Sequence, residues 1–154
     1  MAKDEFPKKY LYRRIVHAKM FIDAHYAEQI NLSYTADQSL FSKFHFIRIF
    51  KSIYGTTPHQ YLTSVRIEKA KLLLRTEMSI SQVCNTVGFE SLSSFSGLFR
   101  KIVGQSPSAY HVQQLQWLAS VAKNPLHYIP NCFAEKKGWS EFIENASTSP
   151  RSKI

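Results

Sequence analysis

The chain has only two cysteines, Cys84 and Cys132, and neither belongs to a metal-ligand or redox spacing. Cys84 falls on a helical apolar face, where a thiol serves as a small hydrophobe. The six histidines show no zinc-ligand spacing with Cys or Glu, so neither a metal nor a cofactor is expected. Glycine is scarce, and Val/Thr-rich alternating runs are few, which argues against sheets and for helices. No apolar run is long enough to span a bilayer, and the first residues lead into no apolar signal segment. A soluble, cytoplasmic protein with no membrane partner is the expectation. Acid is also scarce where base is abundant: residues 42–75 hold seven basic side chains (Lys43, Arg48, Lys51, Arg66, Lys69, Lys71, Arg75) against the single acid Glu68. Such a run suits a polyanion, although a solvated surface produces the same pattern.

What is present is a duplication. Phe50-Lys51-Ser52-Ile53-Tyr54-Gly55-Thr56-Thr57-Pro58-His59-Gln60-Tyr61 recurs as Phe99-Arg100-Lys101-Ile102-Val103-Gly104-Gln105-Ser106-Pro107-Ser108-Ala109-Tyr110. The shared pattern is a phenylalanine, a basic residue, a glycine stop, then Thr or Ser before proline. Hydrophobic content of 44% excludes a wholly disordered chain, and the length suits one core or two small ones sharing a helix.

The periodicity predicts helices in order. Residues 10–27 carry Ile15, Ala18, Phe21 and Ile22 at helical spacing, and a short helix is expected over 34–39. A basic helix over 43–54 is capped by Ser42 and stopped by Gly55, with Phe46, Ile49, Phe50 and Ile53 as its buried stripe. Thr57 and Pro58 open a long helix to about Arg75, apolar on two arcs. Leu62, Val65, Leu72 and Leu73 form one arc; Ile67, Ala70 and Leu74 form the other. A helix apolar on two sides packs against two things, so it reads as a strut between two subdomains. The second half repeats the layout: a helix over 80–87 capped by Ser79, a turn at Gly88-Phe89, a helix from Ser91 or Ser93 to Val103, and a last one from Pro107 to about Ala119. Small residues at Ala36 and Cys84 allow the close helix approach of a helix-turn-helix.

These residues strongly resemble the AraC/XylS family of bacterial transcription regulators. The resemblance is carried by Tyr61-Leu62-Thr63-Ser64-Val65-Arg66-Ile67-Glu68-Lys69-Ala70-Lys71-Leu72-Leu73-Leu74, by Ser79 to Cys84, by Val87-Gly88-Phe89, by Phe95 with Phe99-Arg100-Lys101, and by Gly104 to Tyr110. It spans roughly residues 13–111 and is looser in the first unit. It implies an all-α fold of two homeodomain-like helix-turn-helix subdomains (12–56 and 76–111) joined by a linker helix (57–75). A flexible arm (1–11) precedes them and a partly ordered extension (112–154) follows.

The resemblance further implies a sequence-specific regulator, an activator by analogy, with double-stranded DNA and RNA polymerase as partners and a recognition helix in each of two successive major grooves. On the first helix it points to Lys43, Phe44, Ile47, Arg48 and Lys51. Arg48 suits guanine O6 and N7, against a phosphate or Glu68 as alternatives. Phe44 suits thymine methyls, against a core position, and Lys43 and Lys51 suit phosphates. On the second helix Leu92, Ser93, Ser94 and Gly97 face the groove, with Arg100 and Lys101 left for the backbone. Gly97 stands where an arginine is common in the family, so this copy is expected to clamp more than read. Only about a dozen residues precede the first helix, so no small-molecule effector domain is expected within the chain, and Met1 favours a stand-alone member. The rival readings are a weakly specific architectural protein or a repressor. A DNA-repair enzyme would need an activated nucleophile that neither cysteine supplies. A membrane-surface protein would need a helix with one clean apolar face.

Overall fold

In each of the twin helices two phenylalanines four residues apart point to the same side, and that side is buried. Phe46 and Phe50 do this in the first copy, Phe95 and Phe99 in the second, and all four are fully enclosed. The computed structural model describes residues 5–30 and 42–138, so the short helix expected over 34–39, Ala36 and the tail beyond 138 lie outside the described residues. The fold is all-α, with no strand among the described residues. In order it comprises α1 (Glu5–His25), α2 (Lys43–Tyr54), α3 (Pro58–Leu73), α4 (Ile80–Thr86), α5 (Leu92–Val103) and α6 (Pro107–Lys123). A 3-10 turn (Pro125–Tyr128) and α7 (Asn131–Lys136) follow. The helix α1 begins ahead of the expected Tyr10, and α6 runs past the expected Ala119.

The helix ends follow the expected chemistry. Ser42 accepts from the His45 backbone N–H, and Ser91 from that of Ser94. Thr57 with Gln60, and Ser79 with Gln82, form reciprocal capping boxes that satisfy two otherwise orphaned donors at each helix start. Gly55 and Gly104 close α2 and α5 in the left-handed conformation, at φ 75 and 88°. Pro58 and Pro107, one step into the following helices, are both fully buried.

Two compact units divide the chain at Tyr110. The first contains two cores. Ile15, Ala18 and Ile22 of α1 meet Phe46 and Phe50 of α2 and Leu62 of α3. Ile67, Ala70 and Leu74, at the other end of α3, meet Val83, Cys84 and Val87 of α4, then Phe89, Phe95, Phe99 and Tyr110. The strut therefore serves one core with its first turns and the other with its last. Two positions differ from the wheel. Leu72 is 55% exposed, because that far along α3 only the second lobe covers the helix. Leu73 packs against the second core rather than the first. In α2, Ile53 is 39% exposed, since the last turn meets the first core through Tyr54 instead, and Phe21 of α1 is likewise exposed. Cys84 is buried in the second core with its thiol on the Phe89 carbonyl, and burial raises its pKa.

The second unit, residues 111–154, contains the rest of α6, the 3-10 turn and α7. Trp117 and Tyr128 pack edge to face at 5.8 Å, and the Tyr128 hydroxyl donates to Ser120 Oγ at 3.0 Å.

A polar cluster ties α1 to the strut. Lys19 Nζ donates to Asp23 at 2.7 Å, the Tyr61 hydroxyl donates to the other Asp23 oxygen at 2.7 Å, and the Lys19 ammonium lies 5.2 Å from the Tyr61 ring centre. Burial pushes the Asp23 carboxyl up, but the hydrogen bonds from Lys19 and Tyr61 outweigh it and hold the pKa below the ordinary 3.8. The Asp23 bond chiefly raises Lys19 above its usual range. A carboxylate depressed in the folded state stabilises above its unfolded pKa and loses that contribution as pH falls through the folded value. A raised lysine gives its full contribution below 10.5 and loses it as pH rises above. Asp23→Asn is therefore expected to lower the urea midpoint at neutral pH. Its deficit against the wild type should shrink as pH is taken below 3.8. A deficit that stays constant down to acid pH would mean the carboxylate charge is irrelevant.

Candidate nucleic-acid interface

The duplication has a geometric meaning. Phe46 and Phe50 lie 6.0 Å apart and Phe50 meets Tyr61 of the next helix at 5.8 Å; Phe95 and Phe99 lie 5.6 Å apart and Phe99 meets Tyr110 at 5.6 Å. Each twin helix is pinned by the same three rings, offset by 49 positions in sequence. Fixing that inner face fixes which residues face outward.

On α2 the outward residues are Lys43, Phe44, Arg48, Lys51 and Ser52, all exposed. Phe44, at 82% exposure, is not a core residue. Arg48 forms no ion pair among the described residues, and Glu68, its possible intramolecular partner, pairs with Lys71 at 3.0 Å. Its five donors are available to a ligand. Ile47 departs from the expectation: it is half-buried and packs on the first core, because it sits at the edge of the Phe46–Phe50 face.

On α5 the outward residues are Leu92, Ser93, Ser94, Gly97, Arg100 and Lys101. Ser94 is engaged in the helix start, its backbone N–H donating to Ser91 Oγ and its hydroxyl oxygen accepting from the Ser91 hydroxyl at 2.9 Å. Gly97 occupies the position equivalent to Arg48, and a Cβ placed on it would meet nothing within 4 Å. Gly97→Ala is thus expected to stabilise the protein by about 1 kcal/mol through helix propensity alone. A thermal melt should show a rise of roughly 3–5 °C for a cooperative unit of this size. No rise would indicate an unseen steric or functional demand for glycine.

The basic run of the sequence is not a single surface. Arg66 turns inward: its Nε donates to the Tyr26 carbonyl at 2.7 Å and its terminal nitrogen to the Glu28 carbonyl at 2.8 Å. Burial lowers its pKa, with the charge of Glu90 opposing. Lys69 lies over the Tyr26 ring at 5.6 Å, and Lys71 is held by Glu68. Lys43, Arg48, Lys51 and Arg75 remain turned to solvent. Sequence reading missed the inward arginine, whose only local sign is its place between Val65 and Ile67 on the strut.

A family model described as a helix-turn-helix domain matches residues 35–113, half of the chain. The probable transcriptional regulator LumQ of Photobacterium leiognathi is 36% identical over 91 residues, which is 58% of this chain and 37% of that protein. The MmsAB operon regulatory protein of Pseudomonas aeruginosa is 44% identical over 70 residues, 45% of this chain and 23% of that protein. The chain thus spans well under half the length of these curated relatives. Among solved structures, the DNA-binding domain of the global transcriptional factor AdpA, in complex with a target DNA, aligns with a TM-score of 0.61 at 30% identity, over 73% of this chain and 96% of that one. Two ring-pinned helices on one strut, with this family match, place the chain in the AraC/XylS family, as a bearer of its helix-turn-helix DNA-binding domain.

Proposed function

We infer that the protein is a sequence-specific, double-stranded-DNA-binding activator of transcription that works in the bacterial cytoplasm and sets α2 and α5 into successive major grooves. The observation that carries this is the pair of identically pinned helices, both presenting exposed basic residues, within one compact unit. Arg48 reads a guanine edge, and Phe44 presses on thymine methyls. Lys43, Lys51, Arg100 and Lys101 meet phosphates, while Ser93 and Ser94 give polar contacts of low discrimination. RNA polymerase is the further partner that activation requires.

The strut supports the spacing. Its 16 residues extend about 24 Å at 1.5 Å per residue. With a lobe's width at each end this approaches the roughly 34 Å between successive grooves. A strut slightly short of that distance would bend the DNA towards the protein.

Selection of bound fragments from a random DNA pool tests the reading. An asymmetric site with two elements about one turn apart is expected. Competitor titration should then favour that site over random DNA by about a thousandfold or more. With roughly six phosphate contacts, log K should fall against log salt with a slope near −5. Enrichment of no sequence, with a steep salt slope, would replace this reading by a weakly specific architectural protein; a reporter promoter carrying the selected site separates activation from repression.

A further inference from the structure

The two lobes of the first unit meet at a junction that the function just described leaves unexplained. Three contacts converge there. The Arg66 guanidinium, projecting from the strut, donates to the carbonyls of Tyr26 and Glu28, just past the end of α1. The same guanidinium lies 5.6 Å from the ring centre of Phe89, in the turn of the second lobe. Gln29 Nε2 reaches the Gly88 carbonyl at 3.4 Å, and the Gly88 backbone approaches Ala27 so closely that a Cβ there would fall 2.4 Å from the Ala27 oxygen.

A continuous helix fixes the separation of two lobes but not their rotation about it. Each lobe grips α3 by its own apolar residues, Leu62 on one side and Ile67, Ala70 and Leu74 on the other. Neither core contains a residue of the other, so slight rocking of one lobe against the other, by flexing of α3, would strain the strut more than either core. Arg66 opposes that motion because it touches all three parts at once. A planar guanidinium can donate from two edges to two carbonyls while its face lies on an aromatic ring, and a lysine ammonium cannot do all three. The carbonyls it binds follow a helix C-terminus, where the aligned peptide dipoles favour a cation.

We propose that Arg66 is the positioning residue that sets the rotational phase between the two DNA-reading helices, and so makes the protein selective for the spacing between its two DNA elements. The proposal rests on the two-groove reading above. Each inserted base pair turns the second element by about 35° and moves it by about 3.4 Å. A locked pair of lobes cannot follow that change, whereas a loosened pair can.

The test uses two readouts on the full chain. In the first, nitroxide labels are placed on Ser52→Cys and Lys101→Cys, equivalent positions of α2 and α5, in a Cys132→Ser background. Double electron–electron resonance without DNA then measures the distance distribution. It should be narrow with Arg66 and at least twice as broad in Arg66→Met, with Arg66→Lys between them. In the second, unlabelled proteins with native Ser52 and Lys101 are titrated against the selected site and against copies with one or two base pairs inserted between its elements. The wild type should prefer the native spacing by roughly tenfold or more, the scale of one mismatched base pair, and Arg66→Met by less than about threefold.

Circular dichroism and melting confirm that each variant is folded, and Arg66→Lys takes the place of Arg66→Met should the latter unfold. An unchanged distance distribution overturns the proposal whatever the protein binds. A wild type that enriches no two-element site overturns the two-groove reading and the proposed spacing selectivity, even where the distribution broadens. A broadened distribution with the wild-type spacing preference intact overturns the link from lobe phase to DNA spacing alone.

Discussion

Gly88→Ala is expected to destabilise the protein by about 2–5 kcal/mol, a large part of the roughly 5–15 kcal/mol that holds a small domain folded. Two costs combine. Gly88 has φ +89°, in the left-handed region that L-residues enter at a cost of about 1–2 kcal/mol. The new methyl would also lie 2.4 Å from the Ala27 oxygen and 2.8 Å from its carbonyl carbon, both backbone atoms that cannot swing aside. Either the turn after α4 or the segment after α1 must move, and overpacking of this kind costs about 1–3 kcal/mol. Gly55 supplies the control. It has φ +75° but nothing within 4 Å of a built Cβ, so Gly55→Ala carries the conformational cost alone. Urea unfolding of the two variants side by side should show the larger loss at Gly88. Equal losses would mean that the lobes separate freely at this contact and that the junction has little stability to lose.

That junction was the part of the fold least legible in the sequence. The twin helices could be read because their signals are local: Ser42 and Ser91 as caps, Gly55 and Gly104 as stops, Phe46 and Phe50 at one helical turn and repeated as Phe95 and Phe99. The two apolar arcs of the strut likewise predicted two cores, since Leu62 and Ile67 must face apart on one helix. What failed was long-range. Leu72 lies on an apolar arc, yet which side of a strut is covered depends on where each lobe ends. Ile53 lies on the helical stripe, yet the last turn of α2 meets the core through Tyr54. Arg66 counts as one more charge in a basic run, and only the approach of Tyr26 and Glu28, some 40 positions earlier in the chain, turns it inward. Gly88 was legible as a turn but not as a place where two backbones nearly touch. The candidate interface residues came from the family resemblance; the structure exposes them all except Ile47, which packs at the edge of the first core.

Arg48→Ala is expected to relax sequence preference at one base pair of the site by about 1–3 kcal/mol, or roughly 5- to 150-fold, while leaving the fold unchanged. The magnitude follows from the loss of the bidentate guanine contact proposed above, and the intact fold follows from exposure: the Arg48 side chain faces solvent and forms no ion pair with a described residue. The effect should be confined to one element of the site, because its counterpart in the second lobe is Gly97, which has no side chain with which to read. Lys51→Ala should behave differently. On the proposed reading it removes a phosphate contact, so it should weaken all sequences about equally and reduce the magnitude of the salt slope by about 1. Selection from a random pool with the wild type and both variants separates the two effects. If Arg48→Ala enriches the same sequence with the same sharpness, Arg48 is a phosphate contact or a spectator, and base reading must pass to Phe44 and the serines of α5. If instead the preference is lost in one element while the other persists, the duplicated scaffold has divided its labour. The first copy then specifies through a side chain that the second lacks. The second holds the DNA through Arg100 and Lys101, at a rotation set by the junction between the lobes.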